Sequence, residues 1–367
     1  MCKASKVLAR VFIIPECQRG FVGGIQQYIF NYAISAHGES LGVVLCLTPV
    51  KTRETQCYSN KIYGRDNIRC ITLYAPSVFR IFTTVVRVLA RMSKYREKIE
   101  IYSVPHIYSP FLTLLKFNQT LFLLQKPRYR ILSLLYHTIL SKFNNVRYVA
   151  SDVRVATMYK PIVNKIGVFF PDPSKVFTSL REELPKELAR MRLYDMKPVI
   201  VYIGYIEYPR FSIPHFIVFL KLLRSLTEER NINPLVILVV RRTEYSNELI
   251  KYLINKLASL QLNNNVVIVS RFLAVEEKLA ILKMSDATLY FLLDVESTTL
   301  RPTIPPYMLA ESVALGKPII LFVNGQDKLE TLGSLYTRWN KYIHVIDVSN
   351  SNYISDLRKV VENVLLT

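Results

Sequence analysis

Ile304-Pro305-Pro306-Tyr307-Met308-Leu309-Ala310-Glu311-Ser312-Val313-Ala314-Leu315-Gly316-Lys317-Pro318-Ile319-Ile320 passes from a proline pair, through a short apolar stretch carrying one carboxylate, into a Gly-Lys-Pro turn and a new apolar run. The pattern predicts a helix that opens near Glu311, stops at Gly316 and is turned by Pro318 into a buried strand. An acid at such an opening suits the positive end of a helix. Upstream, Val266-Val267-Ile268-Val269-Ser270-Arg271-Phe272 reads as another buried strand. Glu277-Lys278-Leu279 then leads to Ser285-Asp286-Ala287, where the next strand starts. Strand, helix and strand in this rhythm predict parallel α/β units.

The rhythm extends along the whole chain. Short apolar, β-branched runs at 7–14, 42–47, 68–73, 99–104, 119–124, 147–150 and 165–169 predict strands in the first half. Runs at 199–203, 235–240, 265–270, 287–291, 318–322 and 344–346 predict them in the second. Around Pro171-Asp172-Pro173 the alternation breaks, and a charged stretch over 178–196 precedes a fresh strand. The expected division is a domain over 1–172, a second over 173–350, and an amphipathic closing helix over 351–367 that could pack back on the first. A chain of 367 residues suits two domains. Two doubly wound α/β domains place ligands in a cleft outside the carboxyl ends of their strands.

Composition narrows the class. Half the residues are hydrophobic and there is no low-complexity tract, which argues against disorder. No apolar run reaches the ~18 residues of a membrane span, and the N-terminal apolar run, interrupted by Arg10, reads as a first strand and not a signal peptide. Cys2, Cys17, Cys46, Cys57 and Cys70 form no CxxC pair, so reduced, intracellular thiols and no metal site are expected. Charge is lopsided: residues 1–170 carry 24 Lys and Arg against 7 Asp and Glu, a net of +17, and residues 171–367 carry 24 against 21, a net of +3. A basic half predicts a polyanionic partner, an anionic membrane surface or nucleic acid. Few glycines with many Ile, Tyr, Lys and Arg are compatible with a thermophilic source.

After the first strand, Gly20-Phe21-Val22-Gly23-Gly24 precedes an apolar-periodic helix, so Gly23 and Gly24 could let backbone N–H groups approach an anion, or form a plain turn. Asn145-Val146-Arg147-Tyr148-Val149-Ala150-Ser151 and Lys165-Ile166-Gly167-Val168-Phe169-Phe170-Pro171-Asp172 follow in order. Together with the 266–287 and 304–320 stretches, these segments resemble the family-4 glycosyltransferases of the GT-B fold: two Rossmann-like doubly wound domains facing a cleft. The resemblance runs, with gaps, from about residue 7 to about residue 325. It implies a metal-independent hexosyltransferase, without a cofactor, whose nucleotide-sugar donor binds the second domain, with retention at the anomeric carbon. Glu311 would accept the two ribose hydroxyls, and Arg271 and Phe272 would join the donor contacts.

The chain departs from the family pattern in three places. A second Glu is expected eight residues before Glu311, where this chain has Thr303. An Arg and a Lys are expected in the loop after the first strand of the second domain, where it has Tyr205 and Phe211; Arg210, next to the latter, could supply the charge to the diphosphate. A His is expected after a strand of the first domain near the sugar; Gln125-Lys126-Pro127-Arg128 holds none, and His106 is the nearest candidate catalytic group. These departures keep open a catalytically degenerate GT-B-like binding protein.

Residues 78–95 predict an amphipathic helix with Arg80, Arg87, Arg91, Lys94 and Lys98 on one stripe and Phe82, Val85, Val86, Leu89 and Met92 opposite. It reads either as a core-packed helix with a solvated face or as a membrane-surface helix, and the resemblance implies the latter for relatives with lipid-linked acceptors. The segment 126–142 could extend the patch. A cytoplasmic protein, peripheral on the inner membrane face, is the expectation. Nucleic acid is the weaker partner, since no reader motif is present.

Overall fold

The computed structural model describes residues 7–14, 28–29, 32, 41–48, 68–124, 131–151, 153–169, 182–189, 191, 195–204, 206, 211–240, 244–262, 265–271, 273, 275–293, 307–325, 329 and 334–365. The chain forms two compact units, Met1–Leu180 with Arg301–Tyr307, and Arg181–Leu300 with Met308–Thr367.

The first unit is built on strands β1 (Ala9–Ile14), β2 (Leu41–Thr48), β3 (Ile68–Tyr74), β4 (Ile99–Ser103), β5 (Asn118–Leu123), β6 (Val146–Ala150) and β7 (Ile166–Val168). All pairs are parallel, in the order β3-β2-β1-β4-β5-β6-β7. One face carries Val11, Ile13, Ile99 and Ile101 against α1 (Val78–Arg91) and α2 (Ser109–Leu114), through Val85, Leu89 and Leu112. The other carries an aromatic layer: Phe12 stacks on Tyr102 at 4.9 Å, and Tyr32 meets Phe122 at 4.7 Å and Phe169 at 4.8 Å. Apolar residues on both faces are what a doubly covered parallel sheet requires. Further along, α3 (Ile131–Leu140) and α4 (Val153–Tyr159) cover β5 and β6.

The second unit has β8 (Val199–Gly204), β9 (Leu235–Val240), β10 (Val266–Val269), β11 (Ala287–Leu292), β12 (Ile319–Val323) and β13 (Ile343–Asp347), all parallel, in the order β10-β9-β8-β11-β12-β13. One sheet face packs on a long helix Ile213–Arg230, on Glu244–Ser259 and on the closing helix Tyr353–Leu365, whose Leu357 and Val361 sit in that core. The other face packs on α5 (Lys186–Ala189) through Leu188 and on the helix Val275–Met284 through Ile281 and Leu282. In both units the strand order reverses once, between β1 and β4 and between β8 and β11. At such a switch the carboxyl-end loops diverge and leave a crevice.

Two expectations are corrected. The helix over 78–95 ends at Arg91: Met92 N–H bonds Leu89 O at 2.9 Å, and Ser93–Lys98 forms a 3-10 turn. The chain must turn here because Ile99 pairs with Ala9 in the sheet. A 3-10 turn advances about 120° per residue, so Lys94 and Lys98 leave the arginine line; Lys94 lies over the Tyr95 ring at 4.9 Å. Secondly, Cys46, at the carboxyl end of β2, is disulfide-bonded and not a reduced thiol. The spacing of the cysteines in the sequence does not reveal such a pairing.

Candidate active site

Most of the residues singled out in the sequence come, in chain order, directly after the strands that flank the two switch points. Gly23 and Gly24 follow β1, and His106 follows β4; Tyr205 and Arg210 follow β8, and Thr303 follows β11. Gly23, Gly24, Tyr205, Arg210, Phe272 and Thr303, with segment 125–130, lie outside the described residues. His106, Arg271 and Glu311 are described.

Glu311 stands on α9 (Tyr307–Ala314), numbered after the helices α6 (Ile213–Arg230), α7 (Glu244–Ser259) and α8 (Val275–Met284). It is the fifth residue of α9, not its opening acid; in the sequence a proline pair stands just ahead of Tyr307, where proline is readily accommodated. Its side chain is 4% exposed and its Oε1 accepts from the ammonium of Lys278 on α8. Among the described residues these are the only two charged residues that are buried. Oε2 takes no hydrogen bond from the described residues. Burial pushes the Glu311 carboxyl above its ordinary value, and the charge and hydrogen bond of Lys278 oppose that rise.

Sequence reasoning missed Lys278. Glu276-Glu277-Lys278 looks like a solvated helix start, yet Lys278 lies three and four residues before Ile281 and Leu282, both buried, and so on the apolar face of its helix. That phase is the signal that could have found it.

Arg271, at the end of β10, has its guanidinium between two carboxylates. Nε and Nη2 donate to Glu187 at 2.8 and 2.9 Å, and Nη1 and Nη2 to Glu277 at 2.8 and 2.7 Å. The fork geometry suits carboxylates in this way. The arginine ties α5 to α8, and its hydrogen bonds hold the Glu187 carboxyl down at about 2. Phe211, where the family pattern expects a lysine, is 1% exposed and packs on Tyr202, Phe216 and Phe291. Lys317 serves the frame: its ammonium donates to Lys283 O at 2.7 Å and Ser285 O at 2.6 Å, satisfying carbonyls at the end of α8.

In the first unit His106 is half-buried and stacks on Tyr108 at 4.6 Å. Burial lowers its pKa, which favours the uncharged ring, and its Nδ1 is buried without a hydrogen bond among the described residues. Its carbonyl accepts from Tyr136 Oη at 2.7 Å. His137 is a core histidine: it is 5% exposed and faces Tyr148 Oη at 3.3 Å, and burial lowers its pKa to about 4.

No family model matches the chain, and no curated protein matches it in sequence. Solved structures do match over nearly its whole length, and they define the class: the chain has the GT-B fold, two Rossmann-like domains in one polypeptide. One match is an α,α-trehalose-phosphate synthase (UDP-forming) from Burkholderia xenovorans in complex with glucose-6-phosphate, 13% identical, covering 98% of this chain and 92% of that one, with a TM-score of 0.56. The Anabaena protein HepE in complex with UDP is 11% identical, covers 98% and 96%, and has a TM-score of 0.54. A glycosyltransferase from Rickettsia africae is 12% identical, covers 98% and 93%, and has a TM-score of 0.53. At these identities the likeness is one of fold.

Proposed function

We propose that this chain is a retaining, metal-independent hexosyltransferase of the family-4 type, moving a sugar from a nucleoside-diphosphate donor to a lipid-linked or membrane-associated acceptor. The observation that carries the reading is the buried Glu311, one helix turn beyond the segment that follows β11, with one carboxylate oxygen unused by the described residues. A buried ion pair is weak evidence for stability, since hydrophobic replacements of such pairs are often neutral. It is better explained by a ligand that needs the carboxylate, and a vicinal ribose diol supplies two donors. Solved structures of the same fold carry UDP and UDP-glucose. In this reading Arg210 and helix N-termini neutralise the leaving diphosphate, and His106 is the candidate catalytic group of the first unit. The test is thermal stabilisation against UDP, GDP, ADP and dTDP and their sugars. A selective shift with one nucleotide is expected; no shift with any of them would overturn the reading.

The acceptor side rests on α1. Arg80, Arg87 and Arg91 are exposed, and Val78 and Phe79 beside them are 57% and 72% exposed. Each basic residue contributes up to about 1 kcal/mol near an anionic surface, and the apolar pair can enter the headgroup region. Among the described residues no helix is long and apolar enough to cross a membrane; the association proposed for α1 is peripheral, on the cytoplasmic face. Co-sedimentation with anionic vesicles is expected to fall at least about ten-fold when Arg80, Arg87 and Arg91 are all changed to Glu. Unchanged binding, or preference for nucleic acid over vesicles, would exclude this surface.

A second reading, a GT-B-like binding protein without catalysis, is favoured by Phe211 in the core and by Arg271 between two carboxylates. Transfer or hydrolysis of any nucleotide-sugar would remove it.

A further inference from the structure

We propose that Lys278 is a positioning residue for the nucleotide: by holding Oε1 of Glu311 it fixes the carboxylate on α9 and leaves Oε2 for the ribose diol. The inference rests on the reading of Glu311 as the ribose-binding group. Three observations carry it. The two side chains come from different helices, α8 and α9, and are 11% and 4% exposed, so neither is a mobile surface charge. Lys278 is the one charged group among the described residues that acts on the Glu311 carboxyl. And the pair uses only one of the two carboxylate oxygens among the described residues.

Without its partner a carboxylate in this position is driven by burial toward the protonated form. A neutral acid loses acceptor strength, because hydrogen bonds to charged groups are the stronger ones. Removal of Lys278 should therefore raise the carboxyl further and make nucleotide binding more strongly pH-dependent than in the native protein. Stability should move the other way. A carboxyl whose folded pKa is raised binds more protons folded than unfolded, so its contribution is fully present at low pH and is lost as pH rises through the folded value. In Lys278→Met, nucleotide affinity should rise with pH while stability falls, a divergence that a merely structural role does not produce.

The experiment titrates the best-binding nucleotide of UDP, GDP, ADP and dTDP into the native protein, Lys278→Met, Glu311→Ala and the neutral pair Lys278→Met/Glu311→Gln, from pH 6 to pH 9, with urea unfolding alongside. Expected is binding by Lys278→Met at least about ten-fold weaker than native at pH 6, narrowing toward pH 9. The neutral pair, which buries no charge at this site, should bind weakly and without the pH dependence of Lys278→Met. An affinity for Lys278→Met that is native-like, or weakened equally at every pH, overturns the role of Lys278 alone. A neutral pair that binds like the native protein also overturns it. Equal binding by Glu311→Ala and the native protein removes the ribose role and this proposal with it. Failure of the native protein to bind any of the four nucleotides removes the donor-site reading itself.

Discussion

Glu311→Ala is expected to cost about 3–5 kcal/mol of stability in the second unit, because it strips the only carboxylate from a buried ammonium, and to abolish stabilisation by nucleotide. The first effect follows from the burial of Lys278, whose ion pair among the described residues is the one with Glu311. The second follows from the loss of Oε2. Urea unfolding with and without nucleotide separates them, and Glu311→Gln sharpens the comparison: it keeps the shape and a hydrogen-bond acceptor, so stability should recover in part while affinity does not. A stability within about 1 kcal/mol of native, with an unaltered nucleotide shift, would mean that the pair is neither strained by burial nor part of a ligand site.

Phe291→Ala should destabilise the same unit by about 3–5 kcal/mol. Phe291 is 1% exposed on β11, stacks on Phe322 of β12 at 5.0 Å and 18°, and meets Phe211 at 5.0 Å and Tyr202 of β8 at 6.1 Å. It therefore joins the two strands at the switch point to the segment that follows β8, and the three rings around the void cannot all close on it. With two units, unfolding need not be one transition. The expected result is a shift of the transition reported by the second unit alone; movement of both together, or a loss below about 1 kcal/mol, would contradict this packing argument.

The strands were legible because a buried parallel strand must be apolar on both faces, and runs such as Leu235–Val240 admit no other economical reading. Strand order was legible only as a class, from the α/β rhythm; the switch points needed the register. Element ends were the weak part. Residues 92–95 continue the helical apolar period, and only the pairing of Ile99 with Ala9 stops the helix. Of the candidate site, Glu311 was legible as a residue but not as a position, since its helix is already formed at Tyr307, four residues ahead of the acid. Lys278 was hidden because its partner is 33 residues away and its neighbours Glu276 and Glu277 give it the appearance of solvent. Arg271 was legible as a conspicuous charge at a strand end; that Glu187, 84 residues upstream, would occupy its fork was not.

The place of Leu357 and Val361 bears on synthesis. Both are fully buried between the long helix α6 and the sheet, so the hydrophobic core that begins at β8 stays open until residue 361 has left the ribosome. The first unit, by contrast, has nearly all of its sequence by residue 180. Domains fold as units and the N-terminal one folds first during translation. Until then the core that Leu357 and Val361 complete is open to water and to chaperones, and docking of the helix Tyr353–Leu365 ends that exposure.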